Sequence, residues 1–297
     1  MIIGIDYGAV FMNNPAADIV EGSVDIRFNS AEYVHSEYGT ASTWLTRPFT
    51  AITHVLSGTS RIAFDMDPAT AIERNAGATT YISAGAWRKS EVLSAEGASF
   101  VWVRASFSLF GGLDLMSFFK VPLVFPPKTG SAFKSILGQI VRLEEDGKLS
   151  LLEKAVFRKM LLYKLLALVI ENSEPREGDA HELLMLVQRL RPAITYVNSH
   201  YDKSIAVDEL ALMCSVSGSR FHRLFHKAFN VSPLEYQIRL RMKEAQKLLL
   251  FSDLNIAEIA VKTGYADQFH FSRTFKSRCG ESPLKYRTNS EKFKYTL

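Results

Sequence analysis

Cysteine is scarce in this chain: Cys214 and Cys279 are the only two among 297 residues. Two thiols can build neither a disulfide framework nor an all-cysteine zinc site. Long apolar runs are missing as well. The strongest, Leu161 to Ile170, is too short to span a bilayer and includes Lys164. The opening MIIGIDYGAVF lacks the basic flank and long apolar core of a signal peptide. These absences argue against a secreted or membrane-spanning protein and make the cytoplasm the expected location. Residues 1–180 hold no cysteine, no G-x-S-x-G elbow, and only His35 and His54 as imidazoles. Nucleophilic catalysis and a histidine-rich metal centre therefore have no support. No catalytic residue, metal or cofactor is expected.

What is present is apolar and unevenly charged. The chain is 47% hydrophobic, enough for two domains that each bury a core. Its formal charge of +4 hides an asymmetry, since residues 1–180 sum to −3 and residues 181–297 to +7. A basic third joined to a faintly acidic remainder fits a nucleic-acid-binding module attached to something else.

Three blocks follow one another. Runs such as PFTAITHVL, ATTYIS and FVWVRASF, broken by SGTS, NAGA and AEG, predict a β-sandwich or barrel over about 25–125. From 131 to 171 the period becomes helical, with Phe133, Ile136, Leu137, Ile140 and Leu143 on one stripe. Gly147 separates that helix from a second, which Asp146 or Ser150 can cap. The polar run NSEPREGDA (172–180) reads as a linker. The expected domains are 1–130, 131–180 and 181–297.

The basic third contains an internal repeat. FHRLFHKAFNVSPLEY (221–236) lies over FSRTFKSRCGESPLKY (271–286) with seven identities in sixteen positions. Upstream, VDELALMCSV (207–216) lies over IAEIAVKTGY (256–265), so the second copy has one extra residue in its turn. Each copy reads as helix, tight turn, helix. Ser217 and Asp267 cap the second helices, and Asn230 and Gly280 end them in a left-handed conformation. Ser232-Pro233 and Ser282-Pro283 then start the next helix. This is the layout of a helix-turn-helix, whose second helix enters the major groove.

With Phe221, Phe225, Phe271 and Phe275 turned inward, the outward residues of 217–229 are Ser219, Arg220, His222, Arg223 and His226. Those of 267–279 are Gln268, Phe269, His270, Ser272, Arg273 and Lys276. Arginine can bond guanine and glutamine adenine bidentately, while an apolar ring can meet a thymine methyl. Lys276 and Lys227 suit phosphates.

Residues Ile194 to Arg287 resemble the DNA-binding domain of the AraC/XylS family of bacterial transcription regulators. The resemblance rests on IAEIAVKTGYADQFHFSRTFKSRCGESPLKYR and on Arg241, Ala245 and Leu248–Leu249 between the copies. It implies two helix-turn-helix units joined by one long helix and reading successive major grooves. The implied base-reading positions are Ser219, His222 and Arg223, then Gln268, Phe269, His270, Ser272 and Arg273. Asn230 departs from the glycine usual at its position. Residues 40–125 resemble, more loosely, the cupin-like sensor barrel of the arabinose-regulator subgroup, through Arg47-Pro48, Gly58, Asn75–Gly77 and SAGAW.

The expected fold is thus α+β and multidomain, with a cupin-like barrel, connector helices and an all-α double helix-turn-helix domain. The resemblance implies a small polar, sugar-like effector, with Arg47 as a polar contact. Trp44, Trp87, Phe100 and Trp102 are candidate stacking faces or core aromatics. Expected partners are double-stranded DNA, the effector, RNA polymerase and a second copy of the chain. The dimer seam is sought in Leu151, Leu152, Ala155, Val156, Leu162, Leu165, Leu166, Val169 and Ile170. The alternatives are a constitutive DNA-binding protein whose barrel only dimerises and a cupin enzyme fused to a DNA-binding domain.

Overall fold

The computed structural model describes residues 23–109, 113–176 and 180–292. The opening stretch read against a signal peptide lies outside them. Strands β1 (Val24–Ser36), β7 (Ala98–Leu109), β2 (Thr50–Ser57) and β5 (Thr79–Ile82) lie side by side in that order. Strand β8 (Leu113–Asp114) pairs with β7. A second sheet has the order β4 (Asp67–Asn75), β3 (Thr59–Phe64), β6 (Arg88–Val92). The three runs singled out from the sequence fall on β2, β5 and β7.

Strand β7 shows why this sequence folds so. Its odd residues Val101, Val103, Ala105 and Phe107 belong to the core shared with the helices. Its even residues Phe100 and Trp102 pack with Val34, Val55 and Val92, on the face turned toward the second sheet. A strand apolar on both faces belongs at the centre of a layered fold. Ala51, Ile62 and Ile82 bridge the two sheets. The expected sandwich or cupin-like barrel takes the form of two facing sheets among the described strands, with the segment between β1 and β2 bridged to β6 at Leu45↔Arg88 and Ala41↔Glu91. The polar, irregular segment 37–49 occupies the place where a closing strand would pair.

Helices α1 (Gly130–Glu145) and α2 (Leu151–Glu171) cover the outer face of the larger sheet. Phe133, Leu137, Ile140 and Val141 of α1 are almost fully buried. The Ser150 hydroxyl accepts from the Glu153 amide and the Glu153 carboxylate from the Ser150 amide, a capping box. Arg158 grips Glu144 through two bonds of 2.6 and 3.0 Å, clamping α2 to α1. The linker's first half is not free chain: Glu174–Pro175 pairs with Phe119–Lys120.

The proposed dimer stripe divides in two. Leu162, Leu165, Leu166 and Val169 are buried in this chain's own core, because the C-terminal half of α2 lies on the sheet domain. Leu151, Leu152 and Val156 are exposed, beside Phe157 and Met160.

The C-terminal domain is all helical: α3 (Ala180–Ser199), α4 (Val207–Met213), α5 (Gly218–Phe229), α6 (Pro233–Phe251), α7 (Ile256–Lys262), α8 (Gln268–Cys279) and α9 (Pro283–Lys292). No helix among the described residues is long and apolar enough to cross a membrane.

Leu165→Ala should destabilise the fold by about 2–5 kcal/mol through the cavity it leaves. Leu152→Ala, at an exposed site, should change stability by less than about 0.5 kcal/mol. Urea unfolding of both variants checks the division of the stripe.

Candidate nucleic-acid interface and interior cavity

The repeat legible in the sequence is also a repeat in geometry. Phe221 and Phe225 sit 5.5 Å apart at 47°, and Phe271 and Phe275 sit 5.8 Å apart at 48°. Phe225 meets Tyr236 edge-on at 5.5 Å and 80°, while Phe275 meets Tyr286 at 5.4 Å and 81°. All four phenylalanines are fully buried. Each helix therefore rolls the same face inward and must present the same positions outward.

Caps fix where the outward faces begin. The Ser217 hydroxyl accepts from the Arg220 amide at the start of α5. The Asp267 carboxylate accepts from the Phe269 and His270 amides, at 3.0 and 2.8 Å, at the start of α8. Those two amide bonds hold the Asp267 carboxyl below its usual range. Asn230 ends α5 at φ 54° and Gly280 ends α8 at φ 85°. Asparagine does here what glycine does in the second copy.

Ser219, Arg220, His222, Arg223 and His226 are exposed on α5. Gln268, Phe269, His270, Arg273 and Lys276 are exposed on α8, and Ser272 is half-buried. Phe269 leaves 76% of its surface open. Lys227, read as a phosphate contact, pairs instead with Glu182 at 2.5 Å.

One side chain sets how the two units sit together. Arg241 of α6 donates to the carbonyls of Tyr201 (2.7 Å) and Lys203 (3.0 Å) before the first unit. It also donates to the Gly264 carbonyl in the turn of the second (2.9 Å). Gly264 has φ +80°, and a β-carbon there would fall 2.1 Å from the Asp202 carbonyl oxygen. Only glycine allows that approach. Glu235 at the start of α6 takes two bonds from Arg278 of α8, at 2.8 and 2.7 Å.

The second unit is docked on the sheet domain. Tyr286 donates its hydroxyl to the Thr46 carbonyl (3.0 Å), and Gln246 donates to the Thr46 hydroxyl (3.0 Å). Arg47 lies over the Tyr286 ring at 5.4 Å, and Phe49 meets Phe251 at 6.4 Å. Gly280 rests against Trp87, where a β-carbon would strike the indole. Of the candidate effector residues, Arg47 and Trp87 thus stand at this junction. Trp44 is half-buried in the same segment, and Phe100 and Trp102 point between the sheets.

Between the sheets lies a cavity of about 20 Å³, lined by Thr53, Arg74, Arg88, Ser90, Trp102 and Arg104 with Ala51 and Ile82. The three arginines were not singled out from the sequence. Arg104 carried a signal, since it shares the strand parity of Phe100 and Trp102; Arg74 and Arg88 sit in polar runs with none. His54, on the helix side of β2, accepts or donates at 2.8 Å to Thr79 and is a core histidine. Burial, then Lys134, lowers its pKa. Both cysteines are buried, which pushes the Cys279 thiol up to about 12. Among the described residues no group of three or more His, Cys, Asp or Glu is placed to hold a metal ion.

A pair of matched helix-turn-helix units on one bridging helix defines the class. Residues 210–289 match the family described as Helix-turn-helix domain. The Msm operon regulatory protein of Streptococcus mutans is 34% identical over 131 residues, 42% of this chain and 45% of that protein. The HTH-type transcriptional regulator AlkR of Acinetobacter baylyi is 37% identical over 101 residues, 34% and 33% of the two chains. The Arabinose operon regulatory protein of Salmonella typhimurium is 28% identical over 161 residues, 54% of each chain. The chain thus spans about half the length, or less, of these curated relatives. The C-terminal domain is thus a helix-turn-helix domain of the AraC type, similar to those of these regulators. Across both domains the fold matches ToxT of Vibrio cholerae, with a TM-score of 0.53 over 90% of this chain and 98% of that one at 10% identity.

Tyr286→Phe removes one donor and leaves the Thr46 carbonyl short of a partner, at a cost of about 1 kcal/mol. Tyr286→Ala also opens a cavity and should cost about 3–5 kcal/mol. Chemical denaturation of both separates the docking bond from the packing of the ring; equal stability of Tyr286→Phe and the parent would mean the bond contributes nothing.

Proposed function

We propose that the protein is a sequence-specific DNA-binding transcription regulator, controlled by a small polar effector bound in its N-terminal domain. The observation that carries this reading is the matched pair of exposed faces on α5 and α8, each held over the same buried phenylalanine pair. A generic helical bundle needs the buried pairs but has no need of arginines repeated at Arg223 and Arg273, both exposed. The relatives that share this domain are operon regulators by name, which supports the same role here.

In this reading Arg223, Gln268, His270 and Arg273 read base edges, and Phe269 meets a thymine methyl. Lys276 contacts a phosphate and fixes register without reading sequence. Arg241 keeps the two units in a set relation, so both recognition helices address one face of the duplex about one helical turn apart. The exposed Leu152, Val156 and Met160, four residues apart along α2, form the seam of a homodimer. RNA polymerase is the partner at the promoter. The effector acts by favouring one arrangement of the two domains, since equal affinity for both would shift nothing. The Thr46 junction is the contact it alters.

Arg273→Ala should weaken binding to the specific site by about 1–3 kcal/mol and relax preference at one base pair. Lys276→Ala should weaken all sequences alike and reduce the salt slope by about 1. Equal losses on specific and random DNA for both variants would reverse these assignments. Inserting about half a helical turn between half-sites should abolish simultaneous engagement.

Val156→Glu should yield folded monomers in light scattering, with an unchanged melting temperature in the monomeric range. A dimer that persists in this variant would place the seam elsewhere.

A further inference from the structure

We propose that the space between the two sheets is an oxyanion site, in which Arg74, Arg88 and Arg104 hold a small metabolite bearing a doubly charged group, a phosphate monoester or a dicarboxylate. This rests on the effector reading above and makes the effector an anion in place of a neutral sugar.

The geometry starts from four strands. Arg74 comes from β4, Arg88 from β6 and Arg104 from β7, and all three line one cavity with Thr53 of β2 and Ser90. Arg74 is 2% exposed and Arg88 6%. A buried guanidinium is ordinarily matched by a carboxylate or by a full set of acceptors. Here neither holds. Arg74 donates to the Thr80 hydroxyl at 3.4 Å and lies over the Phe100 ring at 5.7 Å, and its Nε and Nη2 have no acceptor. Arg88 Nη1 and the Trp102 indole N–H also have none. No acidic side chain lines the cavity. Glu32 on β1 is the carboxylate that faces Arg104, and burial raises its pKa against the pull of that arginine.

The arginines also crowd one another. Burial, with Arg47 and neighbouring arginines, lowers Arg88 and Arg104 to about 9, and burial lowers Arg74 to about 10. A fold that places three cations and four acceptor-less donor atoms around one point carries a cost that a core of apolar residues would avoid. An oxyanion removes that cost on both counts, by charge and by filling the donors' directions. Arginine's planar fork suits carboxylate and phosphate oxygens.

The site also selects by size and polarity. Guanidinium, hydroxyl and indole groups make up most of its walls beside Ala51 and Ile82, with Arg104 stacked on Trp102 at 3.8 Å. The space already formed, about 20 Å³, is that of one water. The guanidinium ends must draw apart to admit a ligand, a movement their mutual repulsion favours. Arg47, which repels Arg88 and Arg104 and covers Tyr286, links the site to the docked C-terminal domain.

The test uses the full chain without DNA. Thermal unfolding and titration calorimetry are run with inorganic phosphate, glucose 6-phosphate, citrate and glucose, against chloride at matched ionic strength. At least one of the three anions should raise the midpoint saturably, by about 5 °C at about a hundredfold excess over its half-saturating concentration; glucose and chloride should not. Glucose 6-phosphate and citrate distinguish the phosphate from the carboxylate source. Arg74→Gln and Arg88→Gln should each raise the half-saturating concentration at least tenfold without lowering the ligand-free midpoint, because each removes an uncompensated buried charge. Arg104→Gln replaces either variant that fails to fold. Arg273→Ala, on the DNA-reading face, should respond as the parent does. The proposal is overturned if no anion exceeds chloride, if the response survives in the glutamine variants, or if it disappears in Arg273→Ala. Stabilisation by glucose alone would overturn the anion while leaving effector control standing. Loss of the regulator reading would appear separately, as no specific DNA binding by the parent.

Discussion

The N-terminal half depends on the double pairing of β7. This strand bonds β1 along one edge and β2 along the other, so neither of its faces can be chosen freely. Its odd side chains must satisfy the helices and its even ones the second sheet. That single alternation puts an apolar core and a cationic cavity on opposite sides of one strand, a few ångströms apart. A slip of one residue in register would exchange them and bury Arg104 against α1. The register of β7 therefore sets both the apolar core and the lining of the cavity.

In the C-terminal half the equivalent constraint is the bracket formed by Arg241. Helix α6 contributes Tyr236 to the first unit's core and Met242, Ala245 and Leu249 to the second's. Packing on α6 and the Glu235–Arg278 bonds hold each unit to the shared helix. Three bonds from one guanidinium then tie the segment before the first unit to the turn of the second. Two units whose spacing is fixed beforehand avoid an ordering cost on association.

The two halves share a continuous apolar core on the helix side and meet a second time at Thr46. Thr46 offers its carbonyl to Tyr286 and its hydroxyl to Gln246, while Arg47 beside it faces the Tyr286 ring and the interior arginines. Beside that core the junction adds two hydrogen bonds and a few ring contacts. The arginines of the sheet domain thus face Tyr286 of α9.

The sequence by itself determined whatever repeats within one element or between two copies of it. Helical spacing, the Ser and Asp caps, the Asn230 and Gly280 ends and the fifty-residue repeat are all local, and each is visible as an interval along the chain. The outward faces of α5 and α8 follow from those intervals, because a helix that buries Phe221 and Phe225 has no choice about where Arg223 points. Tertiary structure decided what depends on meetings between distant segments. Arg74, Arg88 and Arg104 lie on different strands, and nothing in the runs around them says that they converge; the pairing of β3 with β4 and β6, and of β7 with β2, brings them together. The same holds for α2, whose apolar residues look alike in sequence although Leu165 is buried and Val156 is not. Periodicity tells which side of a helix is apolar, but how much of its length another element covers is settled by where the sheet ends.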